Sequence, residues 1–408
     1  MRTVDEALGE ILSRVERLKP CRLPLSDCSG LVLAEDLISR EDQPPFDNSA
    51  MDGYAVRQQD SREASPSAPV RLRIVDEIPA GRVPGRTVGA GEASHIMTGA
   101  MIPTGADAVV PVENVTVQGL EIELTAPVRP GEHIRATGEH IRDGERVVPS
   151  GSVLGPAEIG MAALLGYPEL ACYPRPRVAI LATGDELVEP GAPMAQGQIR
   201  NSNSYALEAQ VRCLGAIPVR LGIVPDDEAR LEQVIRQKLP EVDAFVTSAG
   251  VSVGKHDYVL PVLERLGGEL LLWKIRMRPG KPLGFGRLDG RPFFGLPGNP
   301  VSSMVGFEVF VRPALLRMMG HLRVEPPSLE ARLGEPVSKR ENFRFFLRCQ
   351  LAREGEGWFA TTTGPQGSNI LKSLIQADGL MELPEERSHL DAGEKVKVRL
   401  LWNRPLPR

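Results

Sequence analysis

The chain is poor in several things at once. Aromatic residues make up only 5% of its 408 positions. That argues against stacking platforms for single-stranded nucleic acid. No excess of positive charge exists either: the formal net charge is -5. A polyanion therefore finds no global basic surface, and any anion must be caught locally. Cysteine is scarce and odd in number, at Cys21, Cys28, Cys172, Cys213 and Cys349, with no Cys-x-x-Cys pair. A disulfide framework or structural zinc site is not expected, and a reducing, cytoplasmic setting fits. No run of about 18 apolar residues suggests a membrane span. The first residues carry acids and lack a long apolar core, unlike a secretory signal. No dinucleotide fingerprint, P-loop or Ser-His-Asp arrangement stands out.

What is present is a change of style along the chain. At 42% hydrophobic and 25% charged, the composition is that of a folded protein. Its length suggests two to four domains. Val4, Leu8, Ile11, Val15 and Leu18 fall on one helical face, and Thr3 with Glu6 forms a candidate capping box, so a helix is expected over 3–18. Residues 43–144 alternate short β-type pieces with Gly/Pro turns, which predicts an inserted β-rich module. Residues 156–165 read as helix again. Residues 1–42 and 145–175 would form one domain around that module. From 176 to 325 apolar strands alternate with helices, the pattern of a doubly wound, mainly parallel α/β sheet. An Asp289-Gly290 hairpin signal and a helix over 301–319 close it. Residues 326–408 read as a small β domain, beginning near Pro326-Pro327.

In an open α/β sheet, ligands bind beyond the carboxyl ends of the strands. "RVAILAT" ends in Gly184-Asp185-Glu186, "IPVRLGIV" in Pro225-Asp226-Asp227, "DAFVTS" in a loop reaching Asp257, and "RPFFGL" in Pro297-Gly298-Asn299-Pro300. Each ending alone is an ordinary turn or helix cap; their coincidence on one rim points to a site. The helix after Pro300 would turn its first amides toward an anion, and Gly298 would permit close approach. Lys274, Arg276, Arg278 and Lys281 place four cations within eight residues with no acid between them. On a strand the first three share a face, and Pro279-Gly280 returns Lys281 to them. Carboxylates beside cations suit a Mg²⁺-bridged phosphate. The echo "GEHIRATGEHIR" offers His133 and His140 either as metal ligands or as two similar turns; Gly138 and the odd spacing favour turns.

Several strings occur in a fixed order: "PPFDNSAMDGYAV" (44–56), "IMTGAMIPTGADAVV" (96–110), "ILATGDELVEPG" (180–191), "GQIRNSNSYAL" (197–207), "SAGVSVGKHDYV" (248–259), "RPGKPLGFG" (278–286), "GLPGNPVSSM" (295–304) and "TTTGPQGSNIL" (361–371). Together they resemble the molybdopterin molybdenumtransferase family of MoeA type, which includes the C-terminal domain of gephyrin. The resemblance spans nearly the whole chain. It implies a homodimer of four-domain subunits, with the site between the α/β domain of one subunit and the inserted module of the other. It implies molybdate and adenylated molybdopterin as substrates, Mg²⁺, and release of AMP, with hand-over partners in the same pathway. The positions it assigns are Asp52, Thr98, Glu186, Asp226 or its neighbour Asp227, Asp257, Lys274, Lys281, Ser368 and Arg348, with Arg344 the alternative; Glu186, Asp226 and Asp257 would hold the metal. Three departures from the family pattern are His140 for an acid, Arg278 for lysine and Ala249 for glycine. A gephyrin-like scaffold and a molybdopterin adenylyltransferase are the competing readings. The retained acids and cations favour catalysis over a scaffold, and the inserted module and C-terminal β domain argue against the adenylyltransferase.

Overall fold

A computed structural model describes residues 1–250, 258–339, 342–355 and 357–401. The chain divides into two compact units: Met1–Ala34, Gly151–Pro156 and Glu169–Arg408 form one, Glu35–Ser150 and Ala157–Pro168 the other.

The first unit is built on a six-stranded sheet. Its strand order is Ile217–Val224, Arg177–Thr183, Ala244–Ser248, Arg291–Leu296, Gly284–Leu288 and Glu269–Trp273. The first four run parallel; Gly284–Leu288 runs against them, and Glu269–Trp273, paired antiparallel to it, runs with them again. Both faces are covered, which is why "RVAILAT" reads as an unbroken apolar run. Val178 and Ile180 pack with Leu207 and Val211 of the Asn203–Cys213 helix, on the side of the closing helix. Ala179 and Leu181 face the other way, against Leu231 and Ile235 of the Glu228–Lys238 helix and Val262 of the Val259–Arg265 helix. Each such fully buried leucine contributes about 2 kcal/mol. The doubly wound expectation is met, as is the hairpin: Asp289 (φ 49°) and Gly290 (φ 78°) join Leu288 to its partner Arg291.

Two expected helices differ in detail. The first has the capping box foreseen at Thr3 and Glu6 but spans Val4–Arg14, not 3–18. Past Arg14 tertiary bonds replace helical ones: Arg317 Nε donates to the Val15 carbonyl at 2.9 Å, and the Leu18 amide donates to the Met318 carbonyl at 2.9 Å. The closing helix runs Pro300–Gly306, widens into a π turn over Phe307–Val311, and resumes at Arg312–Met318. Pro313 explains the widening, since it lacks an N–H and its ring crowds the carbonyl four residues back.

Beyond Pro327 the chain forms a closed sheet. Arg344–Glu354 pairs with Gly357–Thr362, then Ser328–Leu333, Lys395–Leu400 and Gly379–Leu383 follow, and the last pairs back to Arg344–Glu354. Closure leaves no open edge among these strands. Leu347, Cys349 and Leu351 point inward with Met381 and Val398. The alternate residue Phe346 faces the α/β core instead. Met277–Arg278 adds a short parallel strand beside Arg344 and Phe345, which carries the 278–281 segment to the barrel wall.

The second unit holds another six-stranded sheet, ordered Ala108–Pro111, Gly53–Val56, Glu92–Ile96, Val70–Ile78, Glu121–Leu124 and Val115–Gln118, around Tyr54, Val56, Leu72 and Ile122. Here the repeated "GEH" finds its explanation. Glu132 accepts from the Arg129 amide (2.8 Å), Glu139 from Ala136 (3.0 Å) and Glu145 from Arg142 (3.1 Å). Gly131, Gly138 and Gly144 precede them at positive φ. The echo is one turn device used repeatedly. Among the described residues no three His, Cys, Asp or Glu side chains are grouped to share a metal.

Candidate functional site

Because the four parallel strands share a direction, their carboxyl ends meet at one rim. Arg177–Thr183 turns at Gly184 (φ 140°), where a Cβ would collide with the Glu186 carboxylate. Asp185 Oδ1 accepts from the Asp226 amide at 3.2 Å, tying two strand ends together. The sequence left Asp226 and Asp227 open. Asp227 is the N-cap of the Glu228–Lys238 helix, accepting from the Arg230 amide at 2.7 Å. Asp226 is therefore the acid of the pair not committed to that cap. Asp257 lies outside the described residues.

The Pro297–Pro300 corner is held from both sides. Asn203 Nδ2 donates to Ser248 Oγ and to the Gly298 carbonyl, each at 2.7 Å. The Val301 amide donates to the Ser368 carbonyl at 3.1 Å. This corrects one expectation: the first N–H of the closing helix is satisfied by the C-terminal loop, not kept for an anion. Asn299 stands at the N-cap position, yet its side chain makes no cap bond. A Cβ on Gly298 would touch only Ala249, at 3.4 Å, an ordinary contact, so packing among the described residues does not by itself require a glycine there. Ala249 itself is held at φ 76°, a left-handed conformation costing about 1 kcal/mol for a residue with a Cβ.

Two cavities flank the corner. One, of about 240 Å³, is lined by Thr183, Glu186, Asn203, Ser248, Ala249 and Gly298. The other, of about 410 Å³, is lined by Arg278, Lys281, Asn299, Ser302, Arg348 and Ser368, with Gln366 on its wall. Arg348 is 0% exposed. Its Nε donates to Ser373 Oγ at 3.0 Å and its Nη2 to the Gly367 carbonyl at 3.1 Å, while Nη1 has no partner among the described residues. Burial pushes its guanidinium down to about 10, so it is still a cation at neutral pH. Lys281 Nζ and Arg278 Cζ lie 5.4 and 5.7 Å from the Phe343 ring centre.

Arg344 and Arg348 share a strand face, as parity requires, but do different work. Arg344 binds both Asp5 carboxylate oxygens at 2.7 Å and Glu385 at 3.0 Å, and lines neither cavity. Lys274 is also displaced from its expected company. It adopts φ 63°, which ends the Glu269–Trp273 strand and breaks the shared face with Arg276 and Arg278. Its ammonium lies 3.9 Å from the Trp273 ring centre, and it lines neither cavity. The return of Lys281 does occur, through the Ile275 amide to the Lys281 carbonyl at 3.0 Å. Asn203, Gln366 and Ser373 carried no charge signal, so sequence reading gave them no role.

In the second unit, Asp52 Oδ1 accepts from both the amide and the hydroxyl of Thr98, each at 2.7 Å. These two bonds, the amide first, hold the Asp52 carboxyl below its ordinary range. His140 is exposed in a turn, its amide bonded to the Gln43 carbonyl at 3.0 Å.

Three family models match the chain in succession: the MoeA N-terminal region (domain I and II) over residues 2–166, a probable molybdopterin binding domain over 179–317, and the MoeA C-terminal region (domain IV) over 330–401. Molybdopterin molybdenumtransferase 2 of Mycobacterium tuberculosis is 39% identical over 404 residues, covering 98% of this chain and 99% of that one. Molybdopterin molybdenumtransferase of Haemophilus influenzae is 35% identical over 402 residues, covering 98% of each. The crystal structure of a molybdopterin biosynthesis MoeA protein from Pyrococcus horikosii superposes with a TM-score of 0.85 at 35% identity, covering 98% of both chains.

Proposed function

The chain belongs to the molybdopterin molybdenumtransferase family, and from that membership we propose that it inserts molybdate into adenylated molybdopterin with Mg²⁺-dependent release of AMP. Water cleaves the phosphoanhydride to AMP and the molybdopterin phosphate, and molybdate exchanges one oxygen, which leaves as water with the two thiol protons, for the two dithiolene sulfurs, with no change of oxidation state. The observation that carries this reading is the fully buried Arg348, whose Nη1 has no partner among the described residues, on the wall of a cavity also lined by Arg278 and Lys281. A buried cationic donor with no partner is costly unless an anion completes it. Molybdate is a small dianion of suitable shape for such a pocket.

The neighbouring cavity would take the phosphates. It is edged by Glu186, with the Asp185–Asp226 pair on the same rim. Oxygen donors without thiolate or imidazole match Mg²⁺, which needs only one or two carboxylates beside water and substrate phosphate. Glu186 and Asp226 would hold it, together with Asp257. Bound there, Mg²⁺ would polarise the phosphoanhydride and offset its charge. Asn203 keeps the Ser248 and Gly298 ends in register, so the two cavities stay on opposite sides of one rigid corner. Lys281 and Arg278 add charge toward the oxyanion, and Lys274 belongs to the same proposal as a phosphate contact. The homodimer, in which the inserted module of one subunit brings Asp52 and Thr98 to the site of the other, is part of it too. So are the four-part division of the chain, hand-over to later steps of the pathway, and a cytosolic location.

Purified protein given adenylated molybdopterin, molybdate and Mg²⁺ should release AMP. A well-folded protein that released none would contradict the catalytic reading and favour a scaffold. Asp257→Ala should abolish release with little change in melting temperature.

A further inference from the structure

We propose that Ser373 is a positioning residue for oxyanion binding: it fixes the buried Arg348 guanidinium at the wall of the 410 Å³ cavity. This rests on the functional reading above and adds a residue to it.

The hydrogen inventory leaves little freedom. Ser373 is 2% exposed and has one hydroxyl hydrogen, which it gives to the Ile370 carbonyl at 2.6 Å. Toward Arg348 it can then only accept, and it does so from Nε at 3.0 Å. The Gly367 carbonyl accepts from Nη2 at 3.1 Å. Two acceptors at different nitrogens fix the plane of a rigid, planar group. Nη1, with two hydrogens, is what remains. The backbone of Arg348 is clamped as well: Gln366 Oε1 accepts from its amide at 2.9 Å, and Gln366 Nε2 donates to its carbonyl at 3.1 Å. All four contacts come from residues 366–373. That loop also gives the Ser368 carbonyl to Val301, at the corner. One short segment therefore sets the direction of the buried cation relative to the corner. The ligand class is a tetrahedral oxyanion, molybdate in the proposed reaction.

Without Ser373 Oγ, Nε loses its acceptor and the guanidinium is held through Gly367 alone, so its charge is less firmly fixed at the cavity wall. The test uses the full-length protein, molybdate as titrant and adenylated molybdopterin as co-substrate. Ser373→Ala should raise both Kd and KM for molybdate about tenfold. The kcat at saturating molybdate and the KM for adenylated molybdopterin should stay within about twofold. Ser373→Thr keeps the acceptor and should recover most of the lost affinity. Unchanged molybdate affinity in Ser373→Ala, with an active wild type, would overturn the positioning role alone. Equal losses in every kinetic parameter, with a lowered melting temperature, would make Ser373 merely structural and overturn it also. A wild type that neither binds molybdate nor releases AMP would overturn the functional reading and this role with it.

Discussion

The two sides of the Pro297–Pro300 corner are made in different ways. On one side the walls are strand ends: Thr183, Glu186, Ser248 and Gly298 reach the 240 Å³ cavity because parallel strands must finish at a common rim. On the other side the walls come from far apart in the chain. Arg278 and Lys281 are carried there by a two-residue strand laid against the barrel, and Arg348 is buried beneath them. The first side follows from topology and could be anticipated. The second exists only because Arg344–Glu354 docks on Met277–Arg278. Opposite charges are thus kept apart by a rigid corner, as the proposed reaction would require if a metal-bound phosphate and an oxyanion are to approach without the acids and cations neutralising one another.

The comparison can be broken most sharply by exchanging its charges. Arg348→Met should cut molybdate affinity about a hundredfold. Its melting temperature should change by no more than a few degrees, because removing a buried charge is offset by the loss of its bonds to Ser373 and Gly367. Glu186→Gln should do the reverse, weakening Mg²⁺ dependence while molybdate affinity holds within about twofold. Similar effects of both on both ligands would mean the cavities are one site. Next in size is Arg344→Ala, predicted to lose about 2–3 kcal/mol of stability on urea unfolding through its ion pairs with Glu385 and Asp5, with molybdate affinity intact.

Smaller effects sharpen the account of single residues. The Asp52 carboxyl is lowered from its ordinary value of 3.8 by the Thr98 bonds. A lowered acid stabilises the fold above its unfolded value, and that contribution is lost as pH falls through the folded value. Thr98→Val removes the hydroxyl donor but not the amide. An NMR titration should therefore show the Asp52 midpoint moving part of the way back toward 3.8. The smallest change is Ala249→Gly. Relief of about 1 kcal/mol of left-handed strain is offset by about 0.4–1 kcal/mol of unfolded-chain entropy. Melting temperature should rise by no more than about 2 °C.

Much of this was legible in the residues because it depends on local or periodic rules. Unbroken apolar strands alternating with helices led to the doubly wound sheet, Asp289-Gly290 to its hairpin, and Thr3 with Glu6 to the capping box. The rim acids followed from strand direction. What was not legible depends on contacts distant in sequence. The first helix is shortened by bonds to Arg317 and Met318, some 300 residues away. Lys274 leaves the shared strand face through a positive φ that no composition rule assigns to lysine. Arg344 and Arg348 look equivalent by parity, and only Asp5 and Glu385 on one side and Ser373 and Gly367 on the other tell them apart. Neutral amides such as Asn203 and Gln366 gave no signal, although they hold both walls in place.

The most direct test of the charge separation is anomalous X-ray scattering at the molybdenum edge from crystals soaked in molybdate. The expected peak lies in the cavity lined by Arg348, Arg278 and Lys281. A peak beside Glu186 instead, or none near either cavity at saturating molybdate, would contradict it.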